Sequence, residues 1–184
     1  MKILFIHRAF PGQFIHIAPF LARNLDARTV FLTESRNPQN LRLPEIQFVR
    51  FLVNPVSESN SHPYLRLSEY AILRGQAIVQ QIQKLSRQNF RPDVVILQAG
   101  LGYGLYVKDV LPSVRVICYL EWFAQFSTSR HLFTKPDLNT ALSLKTESWP
   151  LLHEISSADD LVCPTAWQRS QFPLPWRDHI ELIF

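Results

Sequence analysis

Short apolar runs alternate along the chain with longer stretches in which apolar and polar residues are mixed. The first apolar run, Lys2-Ile-Leu-Phe-Ile-His7, has the length of a strand and is followed by the turn signal Pro11-Gly12. Apolar residues then recur at helical spacing, at Phe14, Ile17, Ala18, Leu21 and Leu25. The opening therefore predicts a strand, a loop and an amphipathic helix. Because this strand is apolar on both faces, we expect it inside a parallel sheet with helices on each side.

The same alternation predicts further strands and helices along the rest of the chain. The strands are expected at 28–33, 46–51, 93–97, 114–120, 161–163 and 180–184. The helices are expected at 65–88, between the glycines at 100–104 and Val110, at 138–158 and at 166–172, with polar loops at 34–43 and 54–63. Asp137 and Thr165 are candidate N-caps, and Pro150 should kink or split the helix that contains it.

Strands that alternate with helices imply right-handed crossovers. The sequence therefore predicts an α/β fold, with a Rossmann-like parallel sheet and helices on both faces. The length of 184 residues suits a single domain, spanning 1–184. The last predicted strand reaches Phe184 with no cap or exit after it, which favours a chain cut from something longer.

Composition and charge exclude several classes of function. The net charge of +4 comes from 19 basic and 15 acidic residues that are scattered along the chain, so a solvated surface is favoured over a nucleic-acid interface. Cys118 and Cys163 lie in apolar segments, as buried thiols in a reducing cytoplasm would. No apolar run approaches the roughly 20 residues that span a bilayer. We expect a cytoplasmic protein, and any membrane contact should be peripheral, at the inner face of the membrane.

Glycines mark the loops where predicted strands end. Gly12 follows the first strand, and Gly100, Gly102 and Gly104 follow the strand at 93–97. Loops of this kind present backbone N–H groups that can hold a phosphate or a sugar hydroxyl, although the glycines could equally mark plain turns. A dinucleotide fingerprint needs three spaced glycines after the first strand, and only one is present. Glu34, at the position of a ribose-binding acid, is therefore weak support for a nicotinamide or flavin enzyme.

Glu121 is the titratable residue with the most suggestive surroundings. It follows the apolar strand at 114–120 and is succeeded by Trp122 and Phe123. A carboxylate there suits general acid or base catalysis or a hydrogen bond to a sugar hydroxyl, although it could instead reach solvent or pair with an arginine. His7 ends the first predicted strand and lies at the same predicted edge of the sheet. Its role there could be functional or structural.

Metal and hydrolase motifs are missing from the sequence. The six histidines form no His-x-His or His-x-x-x-His pair, and no Cys-x-x-Cys or Asp-x-Asp occurs, so we expect no metal. No Gly-x-Ser-x-Gly occurs either, which excludes the nucleophile elbow of an α/β-hydrolase.

Four blocks of sequence carry a resemblance to a known family. They are Ile3-Leu-Phe-Ile-His7 with Phe10-Pro-Gly-Gln-Phe14, Gly100-Leu-Gly102 followed by Lys108-Asp-Val, Tyr119-Leu-Glu121-Trp-Phe123, and Pro164-Thr-Ala-Trp-Gln-Arg-Ser-Gln-Phe-Pro173. Together they resemble the N-terminal domain of family 4 glycosyltransferases. The chain departs from the usual pattern of that subgroup at Gln98, where a histidine is common, and at Arg8-Ala9 and Pro150.

The resemblance implies one half of a GT-B fold, in which two Rossmann-like domains face each other across a cleft. The N-terminal domain binds the acceptor, and the C-terminal domain holds a nucleotide-diphospho-sugar through two glutamates with seven residues between them. No such pair occurs in this chain, so the donor-binding domain is expected to be absent. The implied reaction is retaining transfer of a sugar to an acceptor hydroxyl in polysaccharide or glycoconjugate synthesis, without a metal or a bound cofactor.

The resemblance also implies roles for particular residues. Glu121 is the expected catalytic residue. The Gly12 loop would approach the diphosphate and the transferred sugar, while the acceptor side would include Gln98, Gly100, Thr165 and Gln168. The full set expected to bind substrate is His7, Phe10, Gly12, Gln13, Gln98, Gly100, Gly102, Trp122, Thr165 and Gln168.

Two other functions stay open at the level of sequence. The chain could be a non-catalytic fragment that binds an acceptor, or one half of a nucleotide-sugar epimerase of the same fold. The expected partners are a sugar or lipid-linked acceptor and the missing C-terminal donor domain.

Overall fold

A computed structural model describes residues 1–35, 43–54, 62–124 and 137–183 of the chain. Seven strands form one sheet in the order β3-β2-β1-β4-β5-β6-β7, and every neighbouring pair is parallel. The strands are β1 (Lys2–Ile6), β2 (Arg28–Thr33), β3 (Ile46–Arg50), β4 (Val94–Gln98), β5 (Arg115–Tyr119), β6 (Asp160–Cys163) and β7 (Ile180–Leu182). The predicted Rossmann-like parallel sheet is confirmed.

Helices connect the strands as crossovers. They are α1 (Ile17–Asn24), α2 (Arg66–Arg87), α3 (Val107–Val110), α4 (Leu138–Glu147), α5 (Trp149–Ser157), α6 (Ala166–Ser170) and α7 (Leu174–Arg177), with 3₁₀ turns at Gly12–Phe14 and Pro63–Leu65. The predicted loops at 34–43 and 54–63 fall largely outside the described residues, as does Phe184 at the end of the last predicted strand. Within the described residues, no helix combines the length and the apolar character needed to cross a bilayer.

The core lies on both faces of the sheet because β1 alternates its side chains between them. Leu4 and Ile6 belong to the larger cluster, which α2 and α5 cover with side chains such as Ile78 and Ile155. Ile3 and Phe5 belong to the second cluster, together with Phe14 and Ala18 from the region of α1. This two-sided burial confirms that helices cover both faces, and it explains why the strand is apolar throughout.

Proline decides two helix boundaries. The predicted helix at 138–158 is split at Ser148, and Pro150 lies in the first turn of α5, where its missing N–H leaves no hydrogen bond unmade. Helix α7 was not predicted from the sequence. Pro175 lies in the first turn of α7, so here too the missing N–H of a proline leaves no hydrogen bond unmade.

The first helix is shorter than its hydrophobic pattern predicts. Phe14 lies in the preceding 3₁₀ turn, and α1 begins only at Ile17. Ile17 and Leu25, which the pattern places on the apolar face, are exposed, whereas Ala18 is fully buried. Apolar spacing therefore located the helix but not its ends.

Candidate functional site

The candidate site lies at the edge of the sheet where the strands end. In open parallel sheets, ligands bind beyond this edge, close to the point where the order of the strands in the sheet changes direction. Strands β1, β4, β5 and β6 are consecutive in the sheet. The side chains that end or follow them, His7, Gln98, Glu121 and Thr165, therefore come to one edge, as the sequence predicts.

The first loop folds closely around the imidazole of His7. The ring is 3% exposed, and its Nδ1 atom lies 2.8 Å from the carbonyl oxygen of Ala9 and 2.9 Å from its amide nitrogen. Gly12 has φ of +53°, and a Cβ atom there would lie 2.1 Å from Cε1 of His7. Glycine is required at this position because both the backbone conformation and the histidine ring exclude a side chain.

Polar side chains hold Glu121 from two sides. The amide of Gln98 donates a hydrogen bond of 3.1 Å to Oε2 of Glu121, and the backbone N–H of Arg8 donates to Oε1 of Gln98. Nε2 of Gln168 donates to the main-chain oxygen of Glu121 at 3.0 Å. Thr165 caps α6 and donates to Oε1 of Gln168 at 2.7 Å. The residues after β1, β4, β5 and β6 thus form a connected network.

Two atoms of this network are buried without a partner among the described residues. They are Nε2 of His7 and Oε1 of Glu121, which lie 3.8 Å apart. A buried polar group without a hydrogen bond costs about 1–3 kcal/mol, so native proteins rarely leave two of them side by side. A hydroxyl oxygen could lie within hydrogen-bonding distance of both atoms only to one side of the line that joins them. The pair is therefore the strongest indication of a ligand at this edge.

The glycine loop after β4 is already occupied by a carboxylate. Glu154, on α5, is 1% exposed and accepts hydrogen bonds from the amide of Gly100 and, at 2.7 Å, from that of Gly104. Burial raises the pKa of Glu154 to about 7, although the hydrogen bonds from Gly104, Gly100 and Gly102 oppose the shift. The amide of Gly100 therefore already has an acceptor within the protein, and its predicted contact with a phosphate or sugar stays a prediction.

Gly102 also has a structural role. It has φ of +92°, and a Cβ atom there would lie 2.1 Å from the carbonyl oxygen of Ala71 on α2. The glycine allows the loop to pack against that helix, so its predicted contact with substrate is replaced by a contact with the protein. The role of Glu154 was not predicted from the sequence. The signal that could have identified it is its position between Leu151 and Ile155, two buried residues one helical turn apart, because a charged residue on a buried face needs partners.

Phe10 belongs to the hydrophobic core. Its ring is 5% exposed and makes edge contacts with Phe31 and Phe48, at centroid distances of 4.9 and 5.0 Å. The loop turns this side chain inward, so the structure gives no support to the predicted role of Phe10 in binding substrate, which stays a prediction. Gln13, in the following 3₁₀ turn, is exposed.

Glu34 is held inside the protein by two partners that sequence reasoning missed. Its Oε1 atom accepts hydrogen bonds from Nε of Arg74, at 2.7 Å, and from the hydroxyl of Tyr103. Burial, reinforced by Glu34, raises the pKa of Tyr103 far above its ordinary value. Because Glu34 is already paired, the structure does not support a ribose-binding acid at this position.

Two tryptophans flank the Glu121 network. The ring centroids of Trp122 and Trp167 lie 5.3 Å apart, with a tilt of 47° between the planes. Trp167 is 54% exposed, and Trp122 is half-buried. Behind them, Phe123 contacts the fully buried Phe172 at a centroid distance of 5.5 Å. Aromatic surface thus lies beside the unpartnered polar pair.

The opposite edge of the sheet has hollows, but the residues that the structure describes there form no comparable set of unpaired groups. One hollow of about 360 Å³ is lined by Asp159, Asp160 and His179, and another of about 570 Å³ by Arg91 and Asp93. The first two aspartates are compensated, since Asp159 pairs with Lys108 and Asp160 with Arg115. In the described parts of the chain, no group of three or more His, Cys, Asp or Glu side chains is arranged to hold a metal.

The parallel sheet and the gathering of polar residues at its carboxyl edge define a Rossmann-like α/β domain. A family model described as the glycosyl transferase family 4 group matches residues 26–184. The chain belongs to this family, which confirms the resemblance seen in its sequence. Among curated proteins, none matches the chain.

Solved structures of glycosyltransferases share the fold. A UDP-glucosyltransferase from Polygonum tinctorium, capable of glucosylating indoxyl, superposes with a TM-score of 0.59 at 11% identity, over 99% of this chain and 51% of that one. UGT2 of Phytolacca americana, complexed with UDP-2fluoro-glucose and pterostilbene, gives 0.56 at 10% identity, over 89% and 47% of the two chains. At these identities the likeness concerns the fold alone. The chain spans about half the length of these structures.

Proposed function

We propose that this chain is the acceptor-side domain of a glycosyltransferase. The enzyme transfers a sugar from a nucleotide-diphospho-sugar to an acceptor hydroxyl in polysaccharide or glycoconjugate synthesis. The observation that carries the proposal is the unpartnered pair formed by Nε2 of His7 and Oε1 of Glu121, at the carboxyl edge of a family 4 fold. The pair is suited to the group that a glycosyl transfer consumes, a hydroxyl.

A hydroxyl satisfies both atoms of the pair because it donates one hydrogen bond and accepts others. If Nδ1 of His7 accepts the hydrogen bond from the amide of Ala9, Nε2 carries the proton and donates to the hydroxyl oxygen. Glu121 then accepts the hydroxyl proton, which strengthens the oxygen as a nucleophile. Gln98 orients the carboxylate through Oε2 and leaves Oε1 free for this task.

The donor is proposed to be a nucleoside diphosphate sugar. Support comes from the solved relatives, one of which is complexed with UDP-2fluoro-glucose. The Gly12 loop, which carries no side chain at its turn, would let the backbone approach the diphosphate and the transferred sugar. Retention of the anomeric configuration and the absence of a metal belong to the same proposal, and they rest on the family resemblance. Retention requires the hydroxyl to attack from the face of the sugar that the diphosphate leaves, because attack from the opposite face inverts the anomeric carbon.

A second Rossmann-like domain is proposed to supply the donor site. Support comes from the relatives with this fold, of which the chain covers 51% and 47%. The isolated 184-residue chain would then bind acceptor without transferring sugar. Closure of two domains would exclude water from the donor and limit its hydrolysis. The family match favours a glycosyltransferase over the epimerase of the same fold.

Glu121→Gln tests the proposed chemistry in the chain joined to its donor-binding domain. We expect turnover to fall about 100-fold or more, because a positioned general base typically contributes 10²–10⁴-fold. Release of nucleoside diphosphate and formation of the glycosylated acceptor are measured separately, and NMR of the product reports the anomeric configuration. Glu181→Gln, an exposed change on β7, is the matched control and should leave turnover unchanged.

The thermal midpoint separates a catalytic role from a structural one. Glu121→Gln keeps the shape of the side chain, so the midpoint should change little. A loss of turnover that only parallels a loss of folded protein contradicts the role assigned to Glu121, and full turnover in the variant contradicts it outright.

A further inference from the structure

We infer that Trp122 and Trp167 form a stacking surface for a sugar ring of the acceptor, beside the hydroxyl that His7 and Glu121 bind. The inference rests on the proposed function and names the class of its acceptor, a pyranoside. We call the two side chains the tryptophan pair.

The exposure of the tryptophan pair is the first observation. Trp167 is 54% exposed on α6, and its centroid lies 5.3 Å from that of half-buried Trp122. Water therefore covers a large part of an indole that could have been buried, at a cost in hydrophobic free energy. Large exposed aromatic surface beside a polar site is typical of ligand-binding surfaces.

The tryptophan pair is held in a fixed relation to Glu121. Trp122 is the next residue in the chain, and Trp167 precedes Gln168, whose side chain donates to the main-chain oxygen of Glu121 at 3.0 Å. The cap formed by Thr165 fixes the start of α6. One hydrogen bond therefore joins the start of α6, which carries Trp167, to the main chain next to Trp122, and a second, from Gln98, holds the carboxylate. Such support is the preorganisation that a binding site requires.

The unpartnered polar pair supplies the second, independent observation. Nε2 of His7 belongs to a side chain that is 4% exposed, and like Oε1 of Glu121 it has no partner within the described residues. A pyranose ring matches both features, since its C–H faces are apolar and its rim carries hydroxyls. A planar apolar molecule could stack on the indoles equally well, but it would leave Nε2 and Oε1 unpaired. Sites with buried polar groups discriminate strongly against ligands that lack the matching group.

Binding of simple pyranosides to the 184-residue chain tests the inference. The probes are the methyl pyranosides of glucose, galactose, mannose and xylose with the corresponding disaccharides, and naphthalene, which has no hydroxyl, serves as the planar competitor. Saturation-transfer NMR detects binding, and an upfield shift of the sugar ring protons reports stacking on an indole. We expect at least one pyranoside to bind with this shift and naphthalene not to displace it.

Trp167→Ala should weaken that binding about tenfold, as expected for the loss of one aromatic contact, and abolish the upfield shift. Trp167→Phe should restore most of both. Phe20→Ala, which truncates another exposed aromatic side chain, on α1, is the matched control and should change neither. Because Trp167 is exposed, the alanine variant should keep its thermal midpoint, and equal chemical shift dispersion in the two proteins verifies the fold.

Three results overturn the inference: no probe sugar binds, binding persists unchanged in Trp167→Ala, or naphthalene displaces the sugar. The transfer assay distinguishes this failure from failure of the proposed function. Transfer to an acceptor without pyranoside stacking contradicts the inference alone. Stacking that depends on Trp167, without any transfer by the two-domain protein, supports the inference and contradicts the proposed function.

Discussion

The absence of a side chain at Gly12 allows the ring of His7 to take its position in the candidate site. The imidazole occupies the volume that a Cβ atom at position 12 would need, and Nδ1 is held by Ala9. These contacts aim Nε2 at Glu121, 3.8 Å away. The turn glycine therefore fixes the geometry of the candidate site, whether or not its backbone also contacts a diphosphate.

Gly12→Ala is expected to destabilise the protein by about 2–4 kcal/mol, since strain at a positive φ is added to a clash with the ring of His7. Gly100→Ala is the matched control: its φ is +94°, but its Cβ would meet Leu151 only at 3.8 Å. It should cost only the backbone strain, about 1–3 kcal/mol. Urea unfolding of both variants measures the difference, and equal losses would show that the contact with His7 is without consequence.

Short helices at the carboxyl edge act as supports for the site. Helix α6 has five residues, too few to be stable alone, and it depends on its cap and on the core residue Phe172. Its first turn carries both Trp167 and Gln168. The element that presents the tryptophan pair is thus the same one that holds the main chain of Glu121.

Thr165→Ala should destabilise the protein by about 1 kcal/mol, because the amide of Gln168 loses its acceptor and Gln168 loses a side-chain partner. Thr165→Ser keeps the hydroxyl and should behave like the wild type. Ser170→Ala, at the other end of α6, is the control for loss of a hydroxyl on this helix. Thermal unfolding measures the stability of all three variants. A Thr165→Ala protein as stable as the wild type would contradict the assigned cap.

At the scale of the molecule, the sheet order brings distant segments together. The connection from β3 to β4 crosses the sheet, so β1 lies between β2 and β4. This places His7 within reach of Gln98 and Glu121. On the side of α2 and α5, Glu154 joins α5 to the loop after β4 through backbone hydrogen bonds. Its carboxylate links parts of the fold that are far apart in the chain.

Glu154 makes the stability of the fold depend on pH. Below about pH 4.5 the carboxyl is protonated in both the folded and the unfolded chain. As pH rises towards 7, the unfolded chain releases this proton while burial holds it in the folded state. The free energy of unfolding should therefore fall by about 3 kcal/mol over this range and level off above it.

Glu154→Gln removes this titration and keeps the side-chain shape. Urea unfolding at several values between pH 4.5 and 8 should show the wild type losing stability relative to the variant as pH rises. All other titrating groups are common to both proteins, so the difference isolates Glu154. A difference that stays constant with pH would contradict the raised pKa.

Much of the architecture could be predicted from the order of apolar and polar residues. Burial of β1 on both faces requires an apolar run, and the proline in the long helical segment had to fall in the first turn of a helix. The predicted edge residues His7, Gln98, Glu121 and Thr165 follow from the same logic, because parallel strands end on one side. Their roles in binding or catalysis stay predictions.

The sequence by itself determined the strands, the crossovers and the edge at which the polar residues gather, because these depend on periodicity within each segment. Only the tertiary structure decided which partner each polar group finds. Glu154 occupies the glycine loop, Arg74 and Tyr103 hold Glu34, and Phe10 turns into the core. The physical reason is that hydrogen bonds and ion pairs depend on distances between segments, which local patterns do not encode.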